Sequence, residues 1–205
     1  MTMLQTKRLI LRPLRKSDAP AFASLAGDWA VASMTSDIPH PFSEAQAMAW
    51  IRPARGEVRF AIARESQLIG GVGFYRRTSG AAELGFWLGR PWWGRGFATE
   101  AAKAVLAYGV ATRRLPGFSS AHFVDNPASA RVLAKLGFEP TGRGLIACVA
   151  RGHDVEAITY WLDTRGVAVA TPAPPFRAVT NSRWRAWLGR FAGGPASRTP
   201  TRSVS

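Results

Sequence analysis

A single cysteine, Cys148, occurs among the 205 residues, and its isolation excludes two kinds of site. One thiol cannot form an internal disulfide, and it cannot build a cysteine-rich metal centre. Cys148 lies in the apolar stretch LIACVA, which predicts a buried core thiol, because reactive thiols need a polar, electropositive setting. His40, His122 and His153 share no metal-ligand spacing, so we expect structural or exposed roles for them and no metal.

Long uncharged apolar runs are also missing from the sequence. A helix that crosses a membrane needs about 18 or more such residues in succession, so we expect no membrane span. The opening stretch MTMLQTKRLILRPL contains a short apolar run interrupted by Arg8 and Arg12, and no small-residue cleavage site follows it. This pattern differs from that of a secretory signal peptide, and we therefore expect a cytoplasmic protein.

Acidic residues are too few to balance the basic ones, and the formal net charge is +14. Residues 1–162 hold 20 Lys and Arg against 12 Asp and Glu, whereas residues 163–205 hold seven Arg against Asp163 alone. A basic chain favours an anionic ligand or partner. The charge by itself does not choose between a nucleotide cofactor, a nucleic acid and an acidic surface.

Strand and helix patterns alternate within residues 1–165, which predicts one α/β or α+β domain built around a mixed sheet. Ser43 is the predicted cap of one helix, and Ser17 or Asp18 caps the helix that begins near Pro20. A tight turn at Glu65-Ser66-Gln67 is expected to join two strands. The predicted strands are the residues from Leu9 to Leu14, VRFAIARES, QLIGGVGFYRR, AAELGFWLG, GFSSAHFV and the hairpin GLIACVARGHDVEAITYWL, and the later helices are SEAQAMAWI, ATEAAKAVLAYGV and PASARVLAKLGF.

Residues 166–205 have a different composition, rich in Pro, Arg and Ser, which predicts a mostly disordered tail. Within this tail, residues 183–191 place three aromatic side chains and a leucine at helical spacing, with arginines between them. That pattern is typical of a short basic amphipathic helix. Such a helix would dock on the domain, on a partner or on an anionic membrane surface.

Gly94-Arg95-Gly96 stands between a predicted strand and a predicted helix. The first N–H groups of a helix have no internal partner, and glycine lets an anion approach the backbone closely, so the stretch predicts a phosphate-binding turn. Thr99 stands where a dinucleotide-binding fingerprint needs its third glycine, and the Gly-Lys-Ser/Thr ending of a P-loop is absent from the sequence. A pyrophosphate site remains, and its alternative is a turn that binds nothing.

Two neighbouring segments give the turn a wider context. PWWGRGFATEA resembles the acyl-CoA-binding signature of the GNAT N-acetyltransferases, and NPASARVLAKLGF resembles a second signature of the same superfamily. The stretches TKRLILRPLRKSDA and IPHPFSEAQAMAWI are similar to the RimJ/RimL branch, named for ribosomal-protein N-terminal acetyltransferases. The resemblance covers residues 4–162. It departs from the usual signatures at Pro91, where Gln or Arg is common, and at Leu133, where many members carry Tyr.

The resemblance implies a single GNAT-like domain over residues 1–165, with a mixed, mostly antiparallel sheet flanked by helices. It also implies transfer of an acetyl group from acetyl-CoA to a primary amine, on a protein N-terminus or a small molecule, without a metal. The backbone of the glycine turn would hold the diphosphate, the end of a strand and Asn126 would hold the pantetheine arm, and Ser129 would assist the leaving thiolate. The residues assigned to coenzyme binding are Phe86, Trp87, Leu88, Gly94, Arg95, Gly96, Ala98, Thr99 and Asn126.

The general base is the least determined part of the site. Glu83 is the candidate, because strand alternation places it on the same face as Gly85 and Trp87. Asp154, Glu156 and a bound water are its rivals. Asn126 has a second interpretation as a helix cap, since it precedes Pro127.

An alternative function is that of a basic module that docks on RNA, the ribosome or DNA through its arginines. The sequence carries no recognisable nucleic-acid motif, and aromatic residues are not interleaved with the arginines of the domain, so we expect no nucleic-acid partner.

Overall fold

A sheet of eight strands runs through the computed structural model, which describes residues 2–51, 56–76, 81–113 and 115–164, with only the backbone of Arg113. The strands lie in the order β1-β2-β3-β4-β5-β6-β8-β7. Strands β5 and β6 run parallel, and the other neighbours run antiparallel. The strands are β1 (Leu4–Gln5), β2 (Ile10–Arg12), β3 (Glu57–Arg64), β4 (Gln67–Arg76), β5 (Ala82–Leu88), β6 (Gly117–Phe123), β7 (Glu139–Cys148) and β8 (His153–Asp163).

Helices cover both faces of this sheet. Alternating residues of β3 show the division, because Phe60 and Ile62 pack in one buried cluster with residues of α4, while Ala61 packs in a second cluster with α1 and α3. The mixed, mostly antiparallel sheet with flanking helices is therefore confirmed. The helices are α1 (Ala19–Ala26), α2 (Trp29–Ala32), α3 (Glu44–Trp50), α4 (Phe97–Arg113) and α5 (Pro127–Lys135).

Several predicted turns and helix ends are confirmed. Glu65 and Ser66 connect β3 to β4 with φ angles of 49° and 72°, the left-handed values that a two-residue hairpin turn requires. Ser43 caps α3, since its hydroxyl accepts the N–H of Gln46 and the Gln46 side chain accepts the N–H of Ser43. The thiol of Cys148 is buried, and burial raises its pKa.

The N-terminal region differs from the prediction in its details. The strand expected from Leu9 to Leu14 is limited to β2, and the short helix α2 was not predicted. Asp18 stands at the start of α1, but its carboxylate does not cap the helix, because it is bound to Arg12 and to the N–H of Arg15. The predicted tail over residues 166–205, with its helix at 183–191, lies outside the described residues.

No helix within the described ranges combines the length and the apolar character that crossing a membrane demands. In the same ranges, no three His, Cys, Asp or Glu side chains gather as a metal ion would require.

Arg12 and Asp18 form a buried ion pair that joins β2 to the beginning of α1. Two hydrogen bonds of 2.7 and 2.8 Å connect the guanidinium to the two carboxylate oxygens. Burial raises the pKa of Asp18, but the hydrogen bonds from Arg12 and from the Arg15 backbone, with the Arg12 charge, outweigh it. The pKa of Asp18 therefore lies below its usual value.

Replacing Asp18 with Asn should destabilise the fold by about 3 kcal/mol at neutral pH, because the substitution leaves the buried Arg12 charge uncompensated. Since the folded state lowers the pKa of Asp18, the stabilisation is present above the ordinary aspartate pKa of about 4 and is lost as the pH falls through the folded value. Urea unfolding of both proteins between pH 7 and pH 3 measures the difference. Glu139→Gln, on an exposed residue of β7, is the control, and a loss equal to that of the control would contradict the prediction.

Candidate active site

The site begins where β5 and β6 separate. Their register pairs Ala82 with Phe118 and Glu83 with Ser119, and within the described strands it extends no further. Beyond that point β6 stays with β8, and the Ser120 hydroxyl donates to the Leu84 carbonyl across the fork at 3.0 Å. A cavity of about 830 Å³ opens between the diverging strands and reaches from α4 and α5 to the loop after α2.

One end of the cavity is the glycine turn that precedes α4. Gly94 and Gly96 have φ angles of +73° and +77°, and a Cβ added to Gly94 would meet no atom within 4 Å. The N–H of Glu100 bonds the Gly96 carbonyl at 3.1 Å, so the N–H groups of residues 97–99 precede the first bond of the helix. The first amides of a 17-residue helix, at the positive end of its dipole, are an arrangement that favours an anion.

Arg8 holds this turn in place from the N-terminal strands. Its Nε and its backbone N–H donate to the Glu100 carboxylate at 2.7 and 2.9 Å, and its Nη1 donates to the Arg95 carbonyl at 3.0 Å. Burial raises the pKa of Glu100, but hydrogen bonds from Thr6 and Arg8 outweigh it and lower the pKa. Glu100 therefore stays ionised and paired with Arg8, so its charge opposes an anion at the turn less than a free carboxylate would.

Strand β5 presents alternate backbone groups to the cavity. The Leu84 carbonyl points toward β6, whereas the Gly89 N–H bonds Ile69 of β4. Because backbone direction alternates along a strand, Phe86 and Leu88 face the cavity with their N–H and C=O groups. Trp87 directs its backbone to Gly71 of β4, which corrects the backbone role predicted for it.

Trp87 reaches the cavity through its side chain instead, and its ring stacks on Phe22 at 5.0 Å between centroids. The Leu88 carbonyl accepts a 2.7 Å hydrogen bond from the Trp93 indole. The Phe86 backbone is therefore the part of this edge that is best suited to a ligand's amide groups.

Asn126 and Ser129 lie on the opposite wall, at the start of α5. Asn126 Oδ1 accepts a hydrogen bond from the Ser129 N–H at 3.1 Å, which confirms the interpretation of Asn126 as the cap of α5. The amide nitrogen of the same side chain can donate to a ligand. Leu133, at the position where the resemblance led us to look for a Tyr, is fully buried in the core and has no hydroxyl to offer.

The far end of the cavity is acidic. Glu57, Tyr75 and Glu83 are cross-strand partners on β3, β4 and β5, and the Tyr75 hydroxyl donates to Glu83 at 2.7 Å. Asp37, on the loop after α2, lines the same end. Burial and the nearby charge of Glu83 raise the pKa of Asp37 to about 6, although a hydrogen bond from Ser36 lowers it.

Sequence reasoning missed Asp37 because it lies in an irregular loop, where no periodicity assigns a face. The two residues predicted as rivals of Glu83 lie elsewhere, and one histidine lines the cavity. Neither Asp154 nor Glu156 lines the cavity, and Glu156 pairs with Arg143 at 2.8 Å. His122 does line it, but its two ring nitrogens are hydrogen-bonded to the Phe123 carbonyl and to the Tyr160 hydroxyl.

The cavity thus brings together most of the residues selected from the sequence. Arg95 is the exception, because it is exposed and is not among the lining residues, and its carbonyl is bound by Arg8. The selected residues that line the cavity are Glu83, Phe86, Trp87, Leu88, Gly94, Gly96, Ala98, Thr99, Asn126 and Ser129.

Residues 8–139 match the sequence model of the family described as "Acetyltransferase (GNAT) domain". The chain belongs to the GNAT acetyltransferase family. It is thus an acyltransferase, as the two sequence signatures implied. The uncharacterized N-acetyltransferase YoaA of Bacillus subtilis is 33% identical over 150 residues, which cover 68% of this chain and 84% of YoaA.

Solved structures share the GNAT fold with this chain at lower identity. RimL, a ribosomal L7/L12 alpha-N-protein acetyltransferase in complex with coenzyme A, aligns with a TM-score of 0.69 and 20% identity, covering 79% of this chain and 98% of RimL. The ribosomal-protein-S5-alanine acetyltransferase of Vibrio fischeri aligns with a TM-score of 0.69 and 19% identity, covering 85% of this chain and all of that one. The fold expected from the RimJ/RimL branch is therefore present.

Glu83→Gln should lower the pKa of Asp37 toward the ordinary aspartate value, because the substitution removes a neighbouring negative charge. Burial remains, so part of the elevation should persist. Carboxyl-carbon NMR titration of the two proteins measures the change. Glu139→Gln is the control, because it removes a negative charge that is distant from Asp37. An equal change in the Asp37 pKa in both variants would contradict an electrostatic interaction between Glu83 and Asp37.

Proposed function

We propose that this acyltransferase moves the acetyl group of acetyl-CoA to a primary amine, on a small molecule or a protein N-terminus, by direct attack in a ternary complex. One observation carries the proposal: a continuous cavity joins the anion-binding turn of α4 to the acidic end of the sheet. A donor that carries a diphosphate fits the first end, and an acceptor that carries a cation fits the second. We propose the cytoplasm as the compartment.

The diphosphate of the donor is assigned to the turn before α4. Backbone N–H groups of Gly94, Arg95, Gly96, Ala98 and Thr99 would bind it, with the helix dipole adding partial positive charge. The structure fits this group, since a side chain at Gly94 would occupy open space and Gly96 has only the Arg8 guanidinium near its Cβ direction, at 3.5 Å.

The pantetheine arm is assigned to the gap between β5 and β6. The backbone of Phe86, with Leu88 beside it, would bond its amides as a neighbouring strand does, and the Asn126 amide nitrogen would bond it from the opposite wall. An N–H of this strand edge, directed at the thioester carbonyl, would stabilise the oxyanion that forms during attack.

Ser129 and Glu83 complete the chemistry that we propose. The Ser129 hydroxyl, one turn into α5, would donate a hydrogen bond to the leaving thiolate. Glu83, held by Tyr75, would supply negative charge that attracts the protonated acceptor to this end of the cavity, where the amine must lose a proton before it attacks. Fixing the thioester and the amine together in one cavity would account for a large part of the rate. We do not propose the nucleic-acid docking module, because no comparison supports it.

The test is incubation of the full chain with acetyl-CoA and a panel of primary amines, comprising peptides with free N-termini, polyamines and aromatic monoamines. Mass spectrometry should detect one added acetyl group on at least one amine.

Gly96→Asp should weaken coenzyme A binding by about tenfold or more in calorimetry, because a carboxylate then faces the diphosphate.

Gly152→Asp is the matched control, since Gly152 also has a positive φ, of +72°, and lies in the β7–β8 turn, outside the cavity lining. It should bind coenzyme A as the wild type does. Equal affinities of the two variants would contradict the assignment of the turn, and failure of the wild type to acetylate any amine would contradict the function.

Ser129→Ala should lower kcat by about 10²-fold while the Kd for acetyl-CoA changes little, because the hydroxyl acts on the departing thiolate and not on the bound coenzyme. The Asn126 cap uses the Ser129 backbone, so the helix start should persist. Steady-state kinetics and calorimetry measure the two quantities, with the exposed Ser17→Ala as control. An unchanged kcat would remove Ser129 from the mechanism.

A further inference from the structure

We infer that Asp37 is the carboxylate that binds the acceptor's ammonium group and receives its proton, so that the preferred acceptors are amine cations on a neutral, apolar stem. The inference rests on the proposed function and specifies the acceptor end of the same cavity. Four features carry it: the anchoring of the Asp37 loop, the charges opposite it, the open floor between them, and the aromatic walls.

The loop that carries Asp37 is fixed from both sides. The turn between β7 and β8 binds it, since the Val149 N–H donates to the Ser36 carbonyl at 3.0 Å and Arg151 Nε donates to the Ser33 carbonyl at 2.7 Å. The next residue, Ile38, is 2% exposed and packs in the cluster of α1 and α3. Asp37 is therefore held at the cavity wall by contacts on each side of it.

Negative charge dominates the groups that face Asp37. Glu83 of β5 and Glu57 of β3 act on it as like charges, and Arg59 of β3 is the opposing cation. Arg59 pairs with Glu57 at 2.8 Å and lies over the Trp50 ring at 4.1 Å, so its charge is matched locally. Asp37 and Glu83 both line this end of the cavity, so a cation placed there would meet two carboxylates.

Of the other cations that touch the loop or line the cavity, one is in an ion pair and two are exposed to solvent. Arg151, which holds the loop backbone, forms a 2.8 Å ion pair with Asp125. Arg131 and Lys135 line the cavity from α5 and are exposed.

Gly85 provides open space between the acidic end and the proposed thioester position. A Cβ added to Gly85 would meet no atom within 4 Å, and its cross-strand partner on β4 is Gly73. The next residue is Phe86, whose backbone faces the gap between β5 and β6. An amine nitrogen above Gly85 would therefore lie beside the strand edge that orients the thioester.

The raised pKa of Asp37 suits the chemistry of this position. With a pKa of about 6, the carboxyl is mostly ionised at neutral pH, so it binds a cation, and it is more basic than an ordinary aspartate. Burial is the main cause, and the charges of Glu83 and Glu57 add to it while Ser36 and Arg59 oppose it.

The protons and electrons of the reaction then balance as follows. The ammonium gives one proton to Asp37, which releases it to solvent, and the neutral nitrogen forms a C–N bond to the thioester carbonyl, whose π electrons move to oxygen. The oxyanion re-forms C=O as the C–S bond breaks and its electron pair goes to sulfur. The nitrogen sheds a second proton, and the thiolate receives one through the Ser129 hydroxyl. The products are the amide, the free thiol and one proton.

The walls around Asp37 indicate the stem that the amine carries. Phe22, Trp29, Trp50 and Trp87 line the cavity, and aromatic faces favour both apolar groups and cations. A carboxylate next to the amine would face Asp37 and Glu83 and would be repelled. Free amino acids should therefore be poor acceptors, whereas the corresponding amines or carboxamides should be good ones.

Matched acceptor pairs test this class directly. Tryptamine differs from tryptophan, and serinamide from serine, at the α-carboxylate. In any pair that the enzyme acetylates, kcat/KM for the member without the carboxylate should exceed that for the amino acid by about tenfold or more. Equal use of the carboxylated partners, or a preference for them, would overturn the substrate class.

Asp37→Asn tests the residue. With the best acceptor of the panel, kcat/KM should fall by about 10²-fold, and the rise in activity with pH near 6 should disappear, while the Kd for acetyl-CoA is unchanged. Glu83→Gln should retain that rise but displace it to lower pH. Thermal unfolding verifies that each variant is folded, and Glu139→Gln is the control.

The outcomes distinguish a failure of the proposed function from a failure of the role assigned to Asp37. A wild type that acetylates no amine would sink the proposed function. An active wild type with no rise in kcat/KM near pH 6, or an Asp37→Asn variant that keeps it, would sink only the assignment of Asp37. The wild-type pH profile needs no variant, so a misfolded substitution does not remove the test.

Discussion

The separation of β5 from β6 is the constraint on which the candidate site depends. The two strands pair at Ala82 and Glu83 and then separate, because β6 continues along β8. At the fork, the Ser120 hydroxyl donates a hydrogen bond to the Leu84 carbonyl. Beyond the fork, Phe86 turns backbone groups toward a cavity rather than toward a strand. Buried backbone groups need hydrogen-bond partners, so the gap is suited to a ligand with amides of its own, which is the role we propose for the pantetheine arm. The fold thereby supplies a slot whose shape and polarity are those of a missing strand.

Two distant parts of the chain support the two ends of this slot. The donor end is stabilised by the N-terminal strands, since Arg8 binds both Glu100 on α4 and the carbonyl of Arg95. The acceptor end is stabilised by the C-terminal hairpin, whose turn binds the loop of Asp37. The glycine turn and the acidic loop share the cavity but use different anchors. Under the proposed function, donor binding and acceptor choice are therefore expected to be separable properties of this domain.

The sequence predicted those features that depend on local pattern. Alternation placed Glu83 on the face of Gly85 and Trp87, and the glycines before α4 predicted an exposed helix start, because both follow from residues close together in the chain. The sequence did not predict the features that depend on tertiary contacts. Asp37 is aligned with the sheet by a hairpin more than a hundred residues away, and the backbone direction of Trp87 depends on the register of β5 against β4. Asp18 was expected to cap a helix, but a buried arginine competed for its carboxylate.

The contact between the Asp37 loop and the β7–β8 turn has a consequence for how such a domain diversifies. Three backbone carbonyls of the loop, those of Ser33, Thr35 and Ser36, receive hydrogen bonds from the hairpin, and none of these contacts depends on the identity of the loop's side chains except through their fit. Lengthening or shortening the hairpin would shift the loop as a unit and change the direction of the Asp37 side chain, while the glycine turn before α4 would stay in place. Under the proposed role of Asp37, an insertion at this surface turn would change the amine preference without a substitution among the residues that line the cavity.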